Sequence, residues 1–323
     1  MNGNSPIREQ DLFGQWRAGT GNRFPDDFIN SRLSLEQKNT DAHLKPGIKR
    51  GLIKMGLREQ IQLALKYTGL RNIGKKNAAD IRVRHHVLPV KNLPVSFVGY
   101  RILHISDPHF NGDSKATENL MKAVSDSSYD ACVLTGDYRY RSFGSNQKAI
   151  AGLEELMAVI SGQTFAILGN HDSLHIVPHM ESMGISVLIN ERYSISKNNQ
   201  HIKLIGVDDP NLYRLDNLQQ AIGKTGINQQ DCAILLAHSP DIYQQAAQLG
   251  IGAYLCGHTH GGQICLPGGI PVRRNVRSPR WSIAGGWRYD NMHGYTSVGS
   301  GCSVVEARFF CAPEITVHEL CSP

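Results

Sequence analysis

Four short β-type apolar runs, at 101–106, 131–135, 164–168 and 232–237, alternate along this chain with segments whose apolar positions recur at helical spacing, at 116–125, 147–160, 174–183, 214–222 and 241–248. That alternation predicts βαβ units in a mixed α/β domain. The last quarter turns strand-like, with short runs at 281–284, 295–298, 303–308 and 315–320 separated by Gly-rich turns. Upstream, 81–97 alternates enough to predict two edge strands turning at Asn92-Leu93-Pro94. Residues 1–46 are polar, rich in Asn, Asp and Gln, and lack a sustained period, which reads as a poorly ordered or loosely docked leader. Ile53, Leu57, Ile61, Ala64 and Leu65 then recur at helical spacing and predict an amphipathic helix. The chain thus divides into a leader over 1–46, a helical segment over 47–79 and a catalytic domain over 80–323.

The predicted strands end on residues with chemistry. Asp107 and His109 stand in Asp-Pro-His, Asp137 in Gly-Asp-Tyr, Asn170 in Gly-Asn-His-Asp, His238 in Ala-His-Ser, and His258 and His260 in Gly-His-Thr-His. The carboxyl ends of strands are where α/β sheets usually keep their sites. Carboxylate, carboxamide and imidazole together suit two hard or borderline cations about 3.5–4 Å apart sharing an anionic oxygen, for which Asp137 is the natural bridge. Neutral imidazoles keep the site's own negative charge low, so the cations retain their power to acidify water and draw in a phosphate. His104 reads as a core residue. Asp208 and Asp209 fit either a turn before Pro210 or a substrate contact.

In this order the motifs resemble the calcineurin-like metallophosphoesterase superfamily, over about 101–320. The resemblance implies a four-layer αββα sandwich of two mixed sheets flanked by helices, and a dinuclear phosphoester hydrolase. It implies that Asp107, His109 and His260 hold one metal, that Asn170, His238 and His258 hold the other, and that Asp137 bridges them. It further implies a catalytic His171 facing the substrate, with Asp172 orienting its ring. The stretches 257–267, 205–210 and 308–314 narrow the likeness to the bacterial branch of membrane-associated phosphodiesterases and UDP-2,3-diacylglucosamine hydrolases. Mixed His, Asn and Asp ligands accept two divalent metal ions, drawn from Mn²⁺, Fe²⁺/Fe³⁺ or Zn²⁺.

Composition changes the picture in three places. A hydrophobic content of 41% with 19% charged residues excludes a wholly disordered chain, and 323 residues suit one large domain with an extension. Seven cysteines without a Cys-x-x-Cys pair read as reduced thiols of a cytoplasmic protein. No apolar run is long enough to span a bilayer or serve as a secretory signal. The net charge of +6 is unevenly spread: 45–76 holds nine basic residues, Lys45, Lys49, Arg50, Lys54, Arg58, Lys66, Arg71, Lys75 and Lys76, against Glu59 alone. Such a helix suits peripheral attachment to an anionic inner membrane face, or packing on the domain with its basic side solvated. Tyr67 as its one aromatic ranks nucleic acid lower.

Arginines crowd two of the ligand motifs. Arg139 and Arg141 follow Gly-Asp-Tyr; Arg273, Arg274, Arg277, Arg280 and Arg288 follow Gly-His-Thr-His. Guanidinium forks suit a second phosphate, so the first three substrate-binding candidates in the second group, with Arg139 and Arg141, favour a lipid-linked or UDP-sugar phosphoester such as UDP-2,3-diacylglucosamine. Two alternatives stay open: a soluble phosphodiesterase acting on cyclic nucleotides or nucleic acid, and a noncatalytic metal-binding scaffold.

Overall fold

A computed structural model describes residues 9–20, 23–44, 57–273 and 276–323. Two six-stranded sheets lie face to face. The first runs β1 (Arg82–Pro89), β14 (Glu314–Cys321), β2 (Arg101–Ile105), β3 (Ala131–Leu134), β4 (Gln163–Ala166), β5 (Ile185–Val187). The second runs β12 (Gly285–Tyr289), β13 (Met292–Thr296), β9 (Ala253–Cys256), β8 (Ala233–Leu236), β7 (Gln200–Gly206), β6 (Glu191–Lys197). A small hairpin, β10 (Cys265–Leu266) with β11 (Ile270–Pro271), follows the Gly-His-Thr-His segment.

The pattern of side chains explains the layering. β3, β8 and β9 are buried throughout, as their unbroken apolar runs require for strands covered on both faces. Ile102, Val133 and Phe165 of the first sheet meet Ile202, Leu204, Ile234, Leu236 and Leu255 of the second in the central core. The alternate residues, Leu103, Ile105, Cys132 and Leu134, face outward onto α5 (Ser114–Ser125), α6 (Gln147–Met157) and α7 (Val177–Ser182). On the far side, Val207, Ala233 and Leu235 pack against α8 (Leu218–Ile222) and α9 (Tyr243–Gln248). The result is the αββα sandwich. Within it β2, β3 and β4 are mutually parallel, as are β7, β8 and β9, so the strands' carboxyl ends gather at one rim.

Several expectations need correcting. The segment read as a loose polar leader supplies two docked helices, α1 (Glu9–Gly19) and α2 (Asp26–Leu44), with Phe13, Phe24 and Ile29 buried in the outer core of the first sheet. A few large apolar anchors suffice where polar side chains complete the interface. The single basic helix is replaced, within the described residues, by α3 (Leu57–Tyr67) and α4 (Arg71–Ala79), broken at Gly69, whose φ of +72° lies in the left-handed region. Lys45, Lys49, Arg50 and Lys54 lie outside the described residues. α4 packs on the catalytic domain, for the Gly74 carbonyl accepts the Arg308 N–H and Asn77 donates to the Arg308 carbonyl. Of the two strands expected over 81–97, only β1 forms; Val95–Phe97 is a 3-10 turn behind Pro94, which has no N–H for a ladder. Arg280–Ser282 is likewise a 3-10 turn, and 303–308 forms no strand. No helix among the described residues is long and apolar enough to cross a membrane.

Candidate metal centre

Each sheet presents its ligand candidates just past a strand. β2 ends before Ser106 and Asp107, β3 before Thr135-Gly136-Asp137, β8 before Ala237-His238, and β9 before Gly257-His258. Five of these side chains sit on left-handed backbone: Asp107 (φ 51°), His109 (45°), Asp137 (59°), His258 (69°) and His260 (50°). Such turns swing the chain off the strand axis and aim successive side chains inward. Two glycines make room. A Cβ on Gly169 would lie 2.3 Å from Asp137 Oδ1, and one on Gly257 would lie 2.3 Å from Asp107 Oδ2.

The seven predicted ligand candidates converge. Asp107, His109 and His260 form one donor group, and Asp137, His238 and His258 a second. Asn170 joins the second, its Oδ1 lying 3.1 Å from His238 Nε2. Asp137 faces both groups, with Oδ2 3.5 Å from His109 Nε2 and Oδ1 3.3 Å from His238 Nε2. All except Asn170 and His258 are at most 5% exposed, so their lone pairs have little access to water.

The donor atoms fit cations. His109 Nδ1 bonds to the Arg139 carbonyl at 2.8 Å and His238 Nδ1 to the Thr135 carbonyl at 2.7 Å. A carbonyl only accepts, so each Nδ1 donates its proton there and each Nε2 is the ring atom turned inward as a candidate ligand. There His109 Nε2 stands 3.1 Å from His260 Nε2, and His238 Nε2 3.2 Å from His258 Nδ1. Asp107 Oδ1 is buried with no hydrogen-bond partner, while Oδ2 accepts from Ser106 Oγ and the His258 N–H. A divalent ion answers both the crowding of ring nitrogens and the orphaned oxygen.

Electrostatics run the same way. Burial alone raises the Asp137 carboxyl, but His238, His171 and His109 hold it well below the usual carboxylate range. Burial lowers His109 to about 4 and, with His109 and Arg308 nearby, takes His260 well below its ordinary value. Those rings offer lone pairs at neutral pH. Burial also lowers His238, yet the Asp137 charge outweighs it and raises that ring, so a proton is what a cation must displace there.

His171 belongs to the cluster but faces outward: its side chain is 22% exposed, and Nε2 lies 4.0 Å from Asp137 Oδ2. The expectation that Asp172 orients this ring is corrected. Asp172 spends both oxygens on backbone, Oδ1 accepting from Tyr138 and Arg139 N–H and Oδ2 from Asp137 and Gly169 N–H. His171 Nδ1 instead meets the Tyr140 carbonyl at 3.1 Å. Burial and the Asp137 charge push the Asp172 carboxyl up to about 6 against the pull of the Gly169 and Arg139 N–H groups.

The arginines divide. Arg139 is buried and donates to the Gly144 carbonyl, which commits it to holding its own loop. Arg141 lies over the Phe143 ring in the groove beside Tyr140. Arg273 and Arg277 are exposed, and Arg274 lies outside the described residues. Asp209 caps the turn at 211–213 with its carboxylate, and Asp208 pairs with Arg32, so neither is aimed at substrate. Sequence reasoning missed Arg308, wholly buried, which donates to the Val298 and Gly299 carbonyls and lies 3.3 Å from His260 Nδ1. It also missed Arg32.

Residues 100–262, just over half of the chain, match the family described as calcineurin-like phosphoesterase. The chain belongs to that family. This phosphoesterase is similar to an uncharacterized metallophosphoesterase of Bacillus subtilis, YkoQ, at 25% identity over 76% of this chain and 92% of that protein. It is also similar to the Escherichia coli phosphodiesterase YaeI, at 28% identity over 74% of this chain and 87% of that one. A solved Thermus thermophilus structure, TT1561, aligns with 62% of the phosphoesterase chain and 90% of its own at 13% identity and a TM-score of 0.43. Family membership makes the chain a phosphoester hydrolase of a dimetal-dependent class.

Proposed function

We propose that the protein is a phosphodiesterase or pyrophosphohydrolase in which Asp107, His109 and His260 hold one divalent ion, Asn170, His238 and His258 a second, and Asp137 both. The observation that carries this reading is the Asp137 carboxylate, whose two oxygens face separate donor groups. The ions, when bound, acidify water and offset phosphoryl charge. The chain's own groups do the rest. Thr135 and Arg139 carbonyls fix the tautomers of His238 and His109. Asp172 shapes the turn that presents Asp137. His171 gives a proton to the leaving oxygen from Nε2, since its Nδ1–H is held by Tyr140. Mn²⁺, iron or Zn²⁺ all suit the donor set.

For the substrate we favour a lipid-linked or UDP-sugar phosphoester. What supports this is a groove beside Tyr140 lined by Leu63, Leu65, Lys66 and Arg71, pairing apolar with cationic surface. Tyr67, Leu70 and Ile73 stand exposed beside Lys66, Arg71 and Lys76, a surface suited to peripheral attachment at the cytoplasmic face of a membrane. The experiment is turnover of bis-p-nitrophenyl phosphate with Mn²⁺, then of UDP-diacylglucosamine with and without anionic vesicles. Asp137→Ala and His171→Ala should abolish or cripple turnover in both. Metal loading without turnover of any diester would overturn the enzymatic reading, and indifference to vesicles the membrane one.

A further inference from the structure

α2 lies wholly outside the residues matched by the family, yet one polar face of it touches two of the loops that carry the candidate centre. Arg32 is 0% exposed. Its Nε bonds to Asp208 Oδ2 at 2.9 Å, its Nη1 to Glu36 Oε1 at 2.8 Å, and its Nη2 to the Asp172 carbonyl at 3.1 Å, while its guanidinium lies 3.3 Å from the Tyr213 ring centre. One turn on, Glu36 accepts from Ser173 Oγ and the Leu174 N–H. Asn39 then donates to the Ser142 carbonyl, and His43 stacks on Phe143 at 4.8 Å. Residues at 32, 36, 39 and 43 share one side of a helix at its three- and four-residue spacing.

The two loops so joined are those that set His171. Its peptide stands between Asn170 and Asp172, whose carbonyl Arg32 holds; its ring is aimed by the Tyr140 carbonyl, two residues before Ser142. We infer that α2 is a splint built into the catalytic unit, and that Arg32 is a positioning residue fixing the Asn170–Asp172 run relative to the Tyr140 loop so that His171 meets the leaving oxygen. The role needs an arginine. Three donors leave one planar group in three directions while its face covers a tyrosine, which a lysine ammonium cannot reproduce. A pair with no exposed surface is weak evidence for stability by itself, because apolar residues of like volume usually serve as well. Geometry at the loops is what the polar pair supplies.

The kinetic arm of the test rests on the hydrolase reading above; hydrogen exchange does not. In the full chain, Arg32→Lys and the paired Arg32→Met/Asp208→Leu are compared with Arg17→Ala, a change at the exposed Arg17–Asp26 pair of α1 and α2. Both Arg32 variants should speed amide exchange at 137–145 and 169–174, and Arg17→Ala should leave those segments unchanged. With Mn²⁺, kcat should fall on the order of 10- to 100-fold at nearly constant KM, as for other partners that orient site groups. The loss should be greater for a phenyl than for a p-nitrophenyl diester, since the poorer leaving group depends more on the His171 proton. The paired variant, which removes the Asp208 charge together with its partner, should melt above the single Arg32→Met variant without regaining kcat. Recovery of both together, or unchanged exchange in both loops, overturns the splint. Absence of diester turnover by the wild type, with exchange altered as described, overturns the hydrolase reading and leaves the splint standing.

Discussion

Replacing Asp172 by Asn isolates the acceptor that shapes the Asp137 turn. The native carboxylate is fully buried and takes four backbone N–H groups, Asp137 at 2.7 Å, Gly169 at 2.9 Å, Tyr138 at 2.9 Å and Arg139 at 3.1 Å, two on each oxygen. An Asn oxygen keeps one pair. Its amide NH₂ then faces the other two N–H groups donor to donor. Two bonds to a charged acceptor are lost, each contributing about 1.5–3 kcal/mol, so the cost is about 3–6 kcal/mol. A whole domain is commonly stable by only about 5–15 kcal/mol, so the variant should be marginal. Urea unfolding followed by circular dichroism, in the metal-free and manganese-loaded forms, measures the loss. Manganese content after gel filtration reports the turn, because Asp137 N and Tyr138 N both hang on this side chain. A variant within about 1 kcal/mol of wild type in the metal-free form would refute the reasoning, since two buried N–H groups cannot lose their acceptor so cheaply.

Gly169→Ala should abolish manganese loading by titration while the sheets persist by circular dichroism, because its Cβ would fall 2.3 Å from Asp137 Oδ1 and 2.5 Å from Asp137 N. Arg308→Met should lower stability by about 3 kcal/mol or more in urea, as the carbonyls of Val298, Gly299, Gly301 and Cys311 lose a donor, and should weaken the first ion's binding through His260. His104, lowered by burial to about 3, and His318, lowered by burial and by the neighbouring rings, stay neutral in the fold. An unfolded chain protonates both near 6.5, so it binds more protons and stability must fall as pH drops below that value, by about 1.4 kcal/mol per unit for each ring. His104→Gln should flatten the urea midpoint profile between pH 4 and 6 by that amount; an unchanged profile would rule the ring out.

The sheets and the convergence of the donor residues were legible because each rests on a local signal. Buried parallel strands demand unbroken apolar runs such as 131–134, and a metal site demands His and Asp where capping or turning does not. Docking of the N-terminal helices was not legible, for α2 binds through Arg32, Glu36, Asn39 and His43, residue types that look the same when solvated. The hint was apolar: Phe13, Phe24 and Ile29, too few to declare a buried face. Asp172 was misjudged for a related reason. The family resemblance made it a partner of the His171 ring, and only the three-dimensional paths of 137–139 and 169 reveal four amides converging on it. Arg308 entered only as the first residue of the 308–314 stretch, and its role was not legible because its partners are carbonyls, which every residue owns.

Five of the seven converging residues occupy left-handed corners, where a residue with a side chain costs on the order of 1–2 kcal/mol. Together that tension is of the same order as the stability of a domain, and the flanking cores restrain it. Warming that merely loosens those cores therefore relaxes the corners first. Catalysis should fade at temperatures where both sheets still stand, and added cation should widen the range over which it survives.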